Sequence, residues 1–288
     1  MLAICKKELR SCFSNMYGYI LIGIYLLFAG FFTSSVCLFG GSPSIELSYG
    51  YLSFIFLLTV PFLTIKGLSD EKRQKTDVLL YSLPIGSLDI VLGKFLSMAI
   101  IMAFCQAVGF SGIIVLSFYG KINLAASLSG ALALFLCSLA LTSVGLFIST
   151  LSGSILISVL LSFCAMITIY FSPDLISLLP TTLIGSFLSL TVVSLLFSLL
   201  VGYLTKSFPV AALFFTIFEL LIIALSIISP KAMEGATVKL FSALSITGRL
   251  ETFTTYAIFD LQGFVYFILF TALFLYFTYL SVEKRRWS

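Results

Sequence analysis

One acidic residue, Glu219, stands near the middle of a long apolar run, Phe214-Phe215-Thr216-Ile217-Phe218-Glu219-Leu220-Leu221, with no lysine or arginine at its depth. Insertion scales put an acidic side chain at the bilayer centre at about 2.5 to 3.5 kcal/mol, so Glu219 must face protein or a wet cavity. Protonation, or a hydrogen bond to Gln106 or to a hydroxyl, would meet that cost. Two roles fit it equally: a lining or gating group of a transport path, and a protonated glutamate that ties helices together. A second concentration of chemistry is the segment Lys66-Gly67-Leu68-Ser69-Asp70-Glu71-Lys72-Arg73-Gln74-Lys75, followed by Thr76-Asp77 and Val78-Leu79-Leu80-Tyr81-Ser82-Leu83-Pro84. Thr76 or Asp77 can cap a helix and Pro84 can end it, which predicts a short, half-apolar helix in water that wants a protein partner. A plain basic loop that only sets topology is the alternative. The third is Met1 to Asn15, where Leu2, Ile4, Cys5, Leu9 and Phe13 interleave with Lys6, Lys7 and Arg10. That pattern predicts an amphipathic helix lying on the inner leaflet, against a short solvated leader as the simpler reading.

Several chemistries are excluded. Histidine is absent, so no zinc, haem or Ser-His-Asp site can be built on imidazole. Cys5, Cys12, Cys37, Cys105, Cys137 and Cys164 never approach CxxC spacing, and most fall in apolar runs, where cysteine packs as a small hydrophobe. Gly93-Lys94-Phe95 imitates the end of a phosphate-binding loop, but Leu88 stands where the first glycine belongs and Phe95 where a magnesium-binding hydroxyl is needed. Leu151-Ser152-Gly153-Ser154 hints at an ATP-binding-cassette signature, yet it falls in a turn between apolar runs. The chain is therefore expected to be no enzyme and to bind no cofactor of its own.

The elements that must position these residues follow from composition. Hydrophobic residues make up 60% of the 288 and charged residues 10%, and the mean hydropathy is +1.18, too apolar for a water-soluble surface. A helix crosses the hydrocarbon core in roughly 20 residues. Eight apolar runs are long enough: about 17–39, 46–65, 90–118, 124–148, 153–172, 181–204, 209–229 and 260–281. A lipid-exposed backbone must satisfy its own amides, and the runs lack the alternation of a barrel, so the expected fold is an all-α polytopic bundle. Were the pair flanking 149–154 a re-entrant hairpin, six spans would remain. With the N-terminus inside, twelve lysines and arginines fall on the cytoplasmic side, against Lys121, Lys231, Lys239 and Arg249 outside. Both termini are then cytoplasmic, in a cell membrane. The net charge of +4 sits near span ends and suits anionic lipid better than nucleic acid. One transmembrane domain over 1–288 is expected, with an interfacial helix at 1–15, a cytoplasmic loop at 66–89 and an external segment at 230–259. The first run is about twice as long as a signal peptide's apolar core and has no clear cleavage site, so it reads as a retained span. Pro61, near the inner end of the second run, is expected to kink it.

Three stretches resemble the ABC-2 type permeases, in particular the branch of gliding-motility and nitrous-oxide-reductase maturation transporters. Ile4-Cys5-Lys6-Lys7-Glu8-Leu9-Arg10, with Phe13 and Tyr17, is similar to the family's interfacial opening segment. Glu71-Lys72-Arg73-Gln74-Lys75-Thr76-Asp77-Val78-Leu79-Leu80 through Pro84, with Ile90-Val91-Leu92-Gly93-Lys94-Phe95, resembles its loop, with Lys75 and Asp77 replacing the usual glycine and glutamate. Leu244-Ser245 through Arg249, Phe253, Asp260 and Tyr266-Phe267 is similar to the external segment before the last span, with a departure at Arg249 to Glu251. The resemblance implies a permease that pairs with itself or a sister permease and binds separate ATPase subunits, which carry ATP and magnesium. It makes the loop a coupling helix, with Glu71, Arg73, Thr76, Asp77, Leu79, Leu80, Leu83 and Pro84 contacting the ATPase. It makes Lys6, Lys7, Glu8 and Arg10 the interfacial helix. The family usually has six spans, so eight imply an inserted pair between about 153 and 229. The chain is therefore expected to be the permease subunit of an ATP-binding-cassette transporter, an exporter; a secondary transporter or channel using Glu219, or a membrane scaffold without transport, are the alternatives. Aliphatic and aromatic walls with scattered Ser and Thr leave lipids, peptides, drugs and polysaccharides open as substrates.

Overall fold

A computed structural model describes residues 1–41, 45–65, 67–74, 86–110, 112–113, 117–118, 123–205, 208–228, 233–255 and 259–287. Among them every regular element is helical. The expected helix from Thr76 to Pro84 lies outside the described residues, as does Lys66.

The chain forms two compact units, Met1–Tyr170 with Arg249–Ser288, and Phe171–Gly248. In the first, α1 (Leu2–Ser14) precedes α2 (Tyr17–Thr33), which runs on as a π-helix over Ser34–Phe39. The second apolar run is α3 (Ile45–Leu52), a 3-10 turn at Ser53–Ile55 and α4 (Phe56–Ile65), which holds Pro61 inside it. After α5 (Leu68–Gln74) come α6 (Ser87–Gly109), α7 (Leu124–Leu151) and α8 (Ile155–Tyr170). The third run was expected from residue 90; its helix starts three residues earlier and closes at Gly109 rather than near 118.

The second unit holds α9 (Ser172–Ser177), α10 (Leu183–Thr205), α11 (Phe208–Ile228) and α12 (Ala236–Leu244), in which α10 and α11 form a helical hairpin with α12 against α9 and α10. The chain closes with α13 (Ile246–Thr254) and α14 (Leu261–Trp287). Asp260 caps α14, its carboxylate accepting from the amides of Gln262 (2.9 Å) and Gly263 (3.2 Å), which satisfies two of the donors that a helix start leaves open.

Among the described residues, five helical runs are long and apolar enough to cross a membrane: Tyr17–Phe39, Ile45–Arg73, Ser87–Ala107, Leu124–Leu151 and Leu261–Arg286. Three shorter apolar stretches, Ile155–Tyr170, Leu183–Leu195 and Ala212–Ser226, fall in the other expected runs. The chain is an all-helical membrane protein.

The centre of the first unit is α7, which packs on α3, α4, α6, α8 and α14. It can do so because its buried positions are small: Ala126, Ser127, Ala131, Ala133, Cys137, Ser138, Ala140, Ser143 and Ser149 among them. Helices in lipid gain nothing from hiding apolar surface from each other, so association depends on close van der Waals approach and on short hydroxyl bonds. Thr64 of α4 and Ser162 of α8 supply one such bond at 3.2 Å. Larger apolar side chains such as Leu27, Leu160 and Leu269 point outward, where they meet lipid tails.

Candidate functional site

The N-terminal segment forms a helix, α1, but the face it buries differs from the apolar set read off the sequence. Ile4, Cys5, Glu8 and Cys12 are buried, whereas Leu2 is 76% exposed. Spacings of four place Ile4, Glu8 and Cys12 on one stripe, and α1 packs along α6. The correction has a physical reason in α6: the carboxylate of Glu8 finds Lys94 there, and an ion-paired glutamate can be buried where an unpaired one cannot. Lys6, Lys7 and Arg10 stay on the exposed side.

Lys94 is only 1% exposed. Its ammonium stands 3.1 Å from Oε1 of Glu8, 3.1 Å from Oε2 of Glu71 and 3.5 Å from the carbonyl oxygen of Gly67. Three oxygens thus surround a group with three N–H bonds to offer. Lys7 reaches Oε1 of Glu71 at 3.6 Å, so two cations face two carboxylates. The cluster joins α1, α5 and α6.

Two glycines stand at close approaches here, Gly93 beneath α1 and Gly67 against α7. A Cβ on Gly93 would lie 3.0 Å from Cβ of Ile4 and 3.0 Å from the Met1 carbonyl oxygen; one on Gly67 would lie 2.6 Å from Oγ of Ser149. Gly93→Val should therefore lift α1 off α6. Cys5 reports on this, because burial leaves it 4% exposed and pushes its thiol above the ordinary cysteine range. In a background where the exposed Cys164 is replaced by serine, Gly93→Val is expected to speed maleimide labelling of Cys5 by about tenfold or more, the rate following the exposed fraction. An unchanged rate would show that α1 tolerates the side chain in place.

The start of the charged loop is also tied to α7. The Leu68 amide donates to Oγ of Ser149 at 3.2 Å, and the Lys72 ammonium donates to the Thr150 carbonyl. Thr150 sits in the last turn of α7, where unpaired carbonyls carry partial negative charge, so a lysine there is doubly favoured. These bonds place the 67–74 segment and the turn at 152–154 at one end of the unit, with α1 beside them.

The other expected site residues are placed as follows. Glu71 belongs to the cluster, and Arg73 is exposed at the end of α5. Thr76, Asp77, Leu79, Leu80, Leu83 and Pro84 lie outside the described residues. The amide of Gln106 donates to the Leu134 carbonyl at 3.5 Å, on the facing helix α7. Glu219 accepts from Oγ of Ser194 at 2.8 Å, across the α10–α11 hairpin. Because an amide oxygen accepts the same bond, Glu219→Gln and Ser194→Ala should each shift stability by less than about 1 kcal/mol, the usual worth of such bonds between membrane helices. Thermal unfolding of the detergent-purified chain checks this; a larger loss would reveal further work for the carboxylate.

Two groups were missed in the sequence. Lys94 counted there only as a topology-setting cation and as part of a motif, yet it is the pivot of the cluster. Its position two turns inside an apolar helix was the available signal. Glu46, taken as a boundary residue of the second run, is 4% exposed and accepts from Oγ of Ser127 at 2.7 Å. Its signal was the apolar sequence resuming directly after it.

Residues 42–155 match the family described as "ABC-2 family transporter protein". The match spans α3 to α7 and so takes in Glu71, Lys94, Gly67 and Gly93. No curated protein matches the chain.

Proposed function

We propose, from the similarity of residues 42–155 to ABC-2 family transporters, that this chain is the membrane-spanning permease subunit of an ATP-binding-cassette transporter, and that it works as an exporter. The observation that carries the reading is the junction of Lys94, Glu8 and Glu71. It locks the start of the charged loop to the N-terminal helix and to the first turns of α6, within the matched stretch. A push on the loop from outside the bilayer then moves α1, α5 and α6 together, because parting them would strand buried charges. The Lys72 and Leu68 bonds carry the same displacement to α7.

In this reading ATP and magnesium belong to a separate ATPase subunit, which docks on the segment from Glu71 to Pro84. The two termini and that segment face the cytoplasm of the cell membrane, eight helices span it, and the permease pairs with itself or a sister permease. The similarity to ABC-2 transporters supports the ATPase partner, and the crowding of basic residues at the end of the unit that carries α1 and α5 supports its cytoplasmic side. The test is co-purification from membranes: a nucleotide-binding subunit should accompany the chain in stoichiometric amount, and its ATPase activity should change on assembly. Ion-gradient-driven flux from the chain alone, with no ATPase bound, would sink the proposal.

A further inference from the structure

The fold sorts the charges of α1 by sign. Glu8 is turned inward and neutralised by Lys94, so the exposed side of the helix keeps only Lys6, Lys7 and Arg10. Lys7 reaches toward Glu71 yet leaves 65% of its side chain exposed. A surface this uniformly cationic attracts anionic headgroups, and burial of the one acid makes it so.

Where α1 hands over to α2, a crevice open on one side lies between α1, α2, α4 and α6. Cys12, Leu21, Leu63 and Ile101 form its buried floor, while Tyr17 and Phe62 stand exposed at its mouth. Its walls are almost wholly apolar, so water gains few partners there and an apolar occupant is favoured. Tyr17 is the first residue of α2, at the boundary where an aromatic ring with a polar tip is at home. An edge-on contact between Phe13 and Tyr19, ring centres 5.6 Å apart, fixes the corner between the two helices. The crevice therefore opens where α1 ends and α2 begins, next to the helix whose exposed side carries Lys6, Lys7 and Arg10.

We propose that this crevice holds an acyl chain of an anionic phospholipid from the leaflet that carries α1, with its phosphate held by Lys6, Lys7 and Arg10. Neither half of the site selects alone: the apolar floor takes any chain, and the cations take any anion. Together they select a chain with a negative headgroup at one end.

Brominated lipids test this in the full chain reconstituted into bilayers. The chain has one tryptophan, Trp287, so Trp287→Phe gives a silent background for Tyr17→Trp at the mouth of the crevice. Leu269→Trp on α14, at a lipid-facing position 64% exposed, serves as control. Brominated phosphatidylglycerol and brominated phosphatidylcholine are each titrated into unbrominated bilayers. At position 17 phosphatidylglycerol should quench at a lower mole fraction than phosphatidylcholine, by about fivefold for each cation engaged, while at position 269 the two should be equivalent. Lys6→Gln with Arg10→Gln should bring the preference at position 17 down toward that of the control. Leu21→Phe, which fills the crevice and leaves the charges alone, should weaken quenching by phosphatidylglycerol at position 17 and spare position 269. The same ratio at both positions would mean ordinary annular lipid and overturn the proposal. So would a preference that survives Leu21→Phe, a result that stands even where the charge variant fails to assemble.

Discussion

Lys94→Met is expected to destabilise the folded chain by about 3–5 kcal/mol, the usual cost of removing one partner from a buried ion pair. Glu8 and Glu71, whose side chains are 11% and 12% exposed, would lose their shared cation with little water to take its place. Lys7 cannot take over, since it lies at the rim and already faces Glu71 at 3.6 Å. The loss should therefore show as a lowered thermal midpoint of the purified chain and as faster labelling of Cys5, because α1 is the element freest to leave. Neutralising the acids as well, in Lys94→Met with Glu8→Gln and Glu71→Gln, should recover most of the midpoint, as the penalty belongs to the stranded charges rather than to the missing lysine. If the single variant melts where the parent does, the cluster does not hold α1 in place.

The proposed coupling segment gives the second large effect. Leu79→Asp together with Leu80→Asp should abolish association with the ATPase subunit while membrane insertion stays normal. The reason is chemical: a segment that docks through leucines loses its apolar contact and buries two unpaired carboxylates instead. Membrane extraction followed by affinity capture of the chain checks both halves, since insertion and subunit recovery are read from the same sample. Undiminished recovery of the ATPase would remove this segment from the interface and leave the Lys94 cluster as a purely structural tie.

These two predictions sit on opposite sides of what a sequence can disclose. Each of the eight apolar runs contains a helix, because the bilayer offers an unpaired amide no partner and so turns hydropathy directly into secondary structure. Glu219 among phenylalanines and leucines was equally legible as a group needing a partner. Its partner was not: Gln106 and a serine hydroxyl were both suitable, and the close approach of α10 and α11 selected Ser194.

The tertiary structure alone decided which residues share a point. In Lys6-Lys7-Glu8-Leu9-Arg10 every charged residue looks like surface, and an amphipathic pattern promised an apolar underside. Helix α6 presents a lysine to that underside, so Glu8 goes in and Leu2 stays out. Lys94 itself, 23 positions beyond Glu71 and 86 beyond Glu8, shows its role only when Gly93 lets α1 approach α6 and Gly67 lets the start of the loop approach α7. Hydropathy is a property of each residue and its neighbours in sequence, and it determined the helices. Charge pairing is a property of distance, and only the packing of α1, α5 and α6 sets that distance.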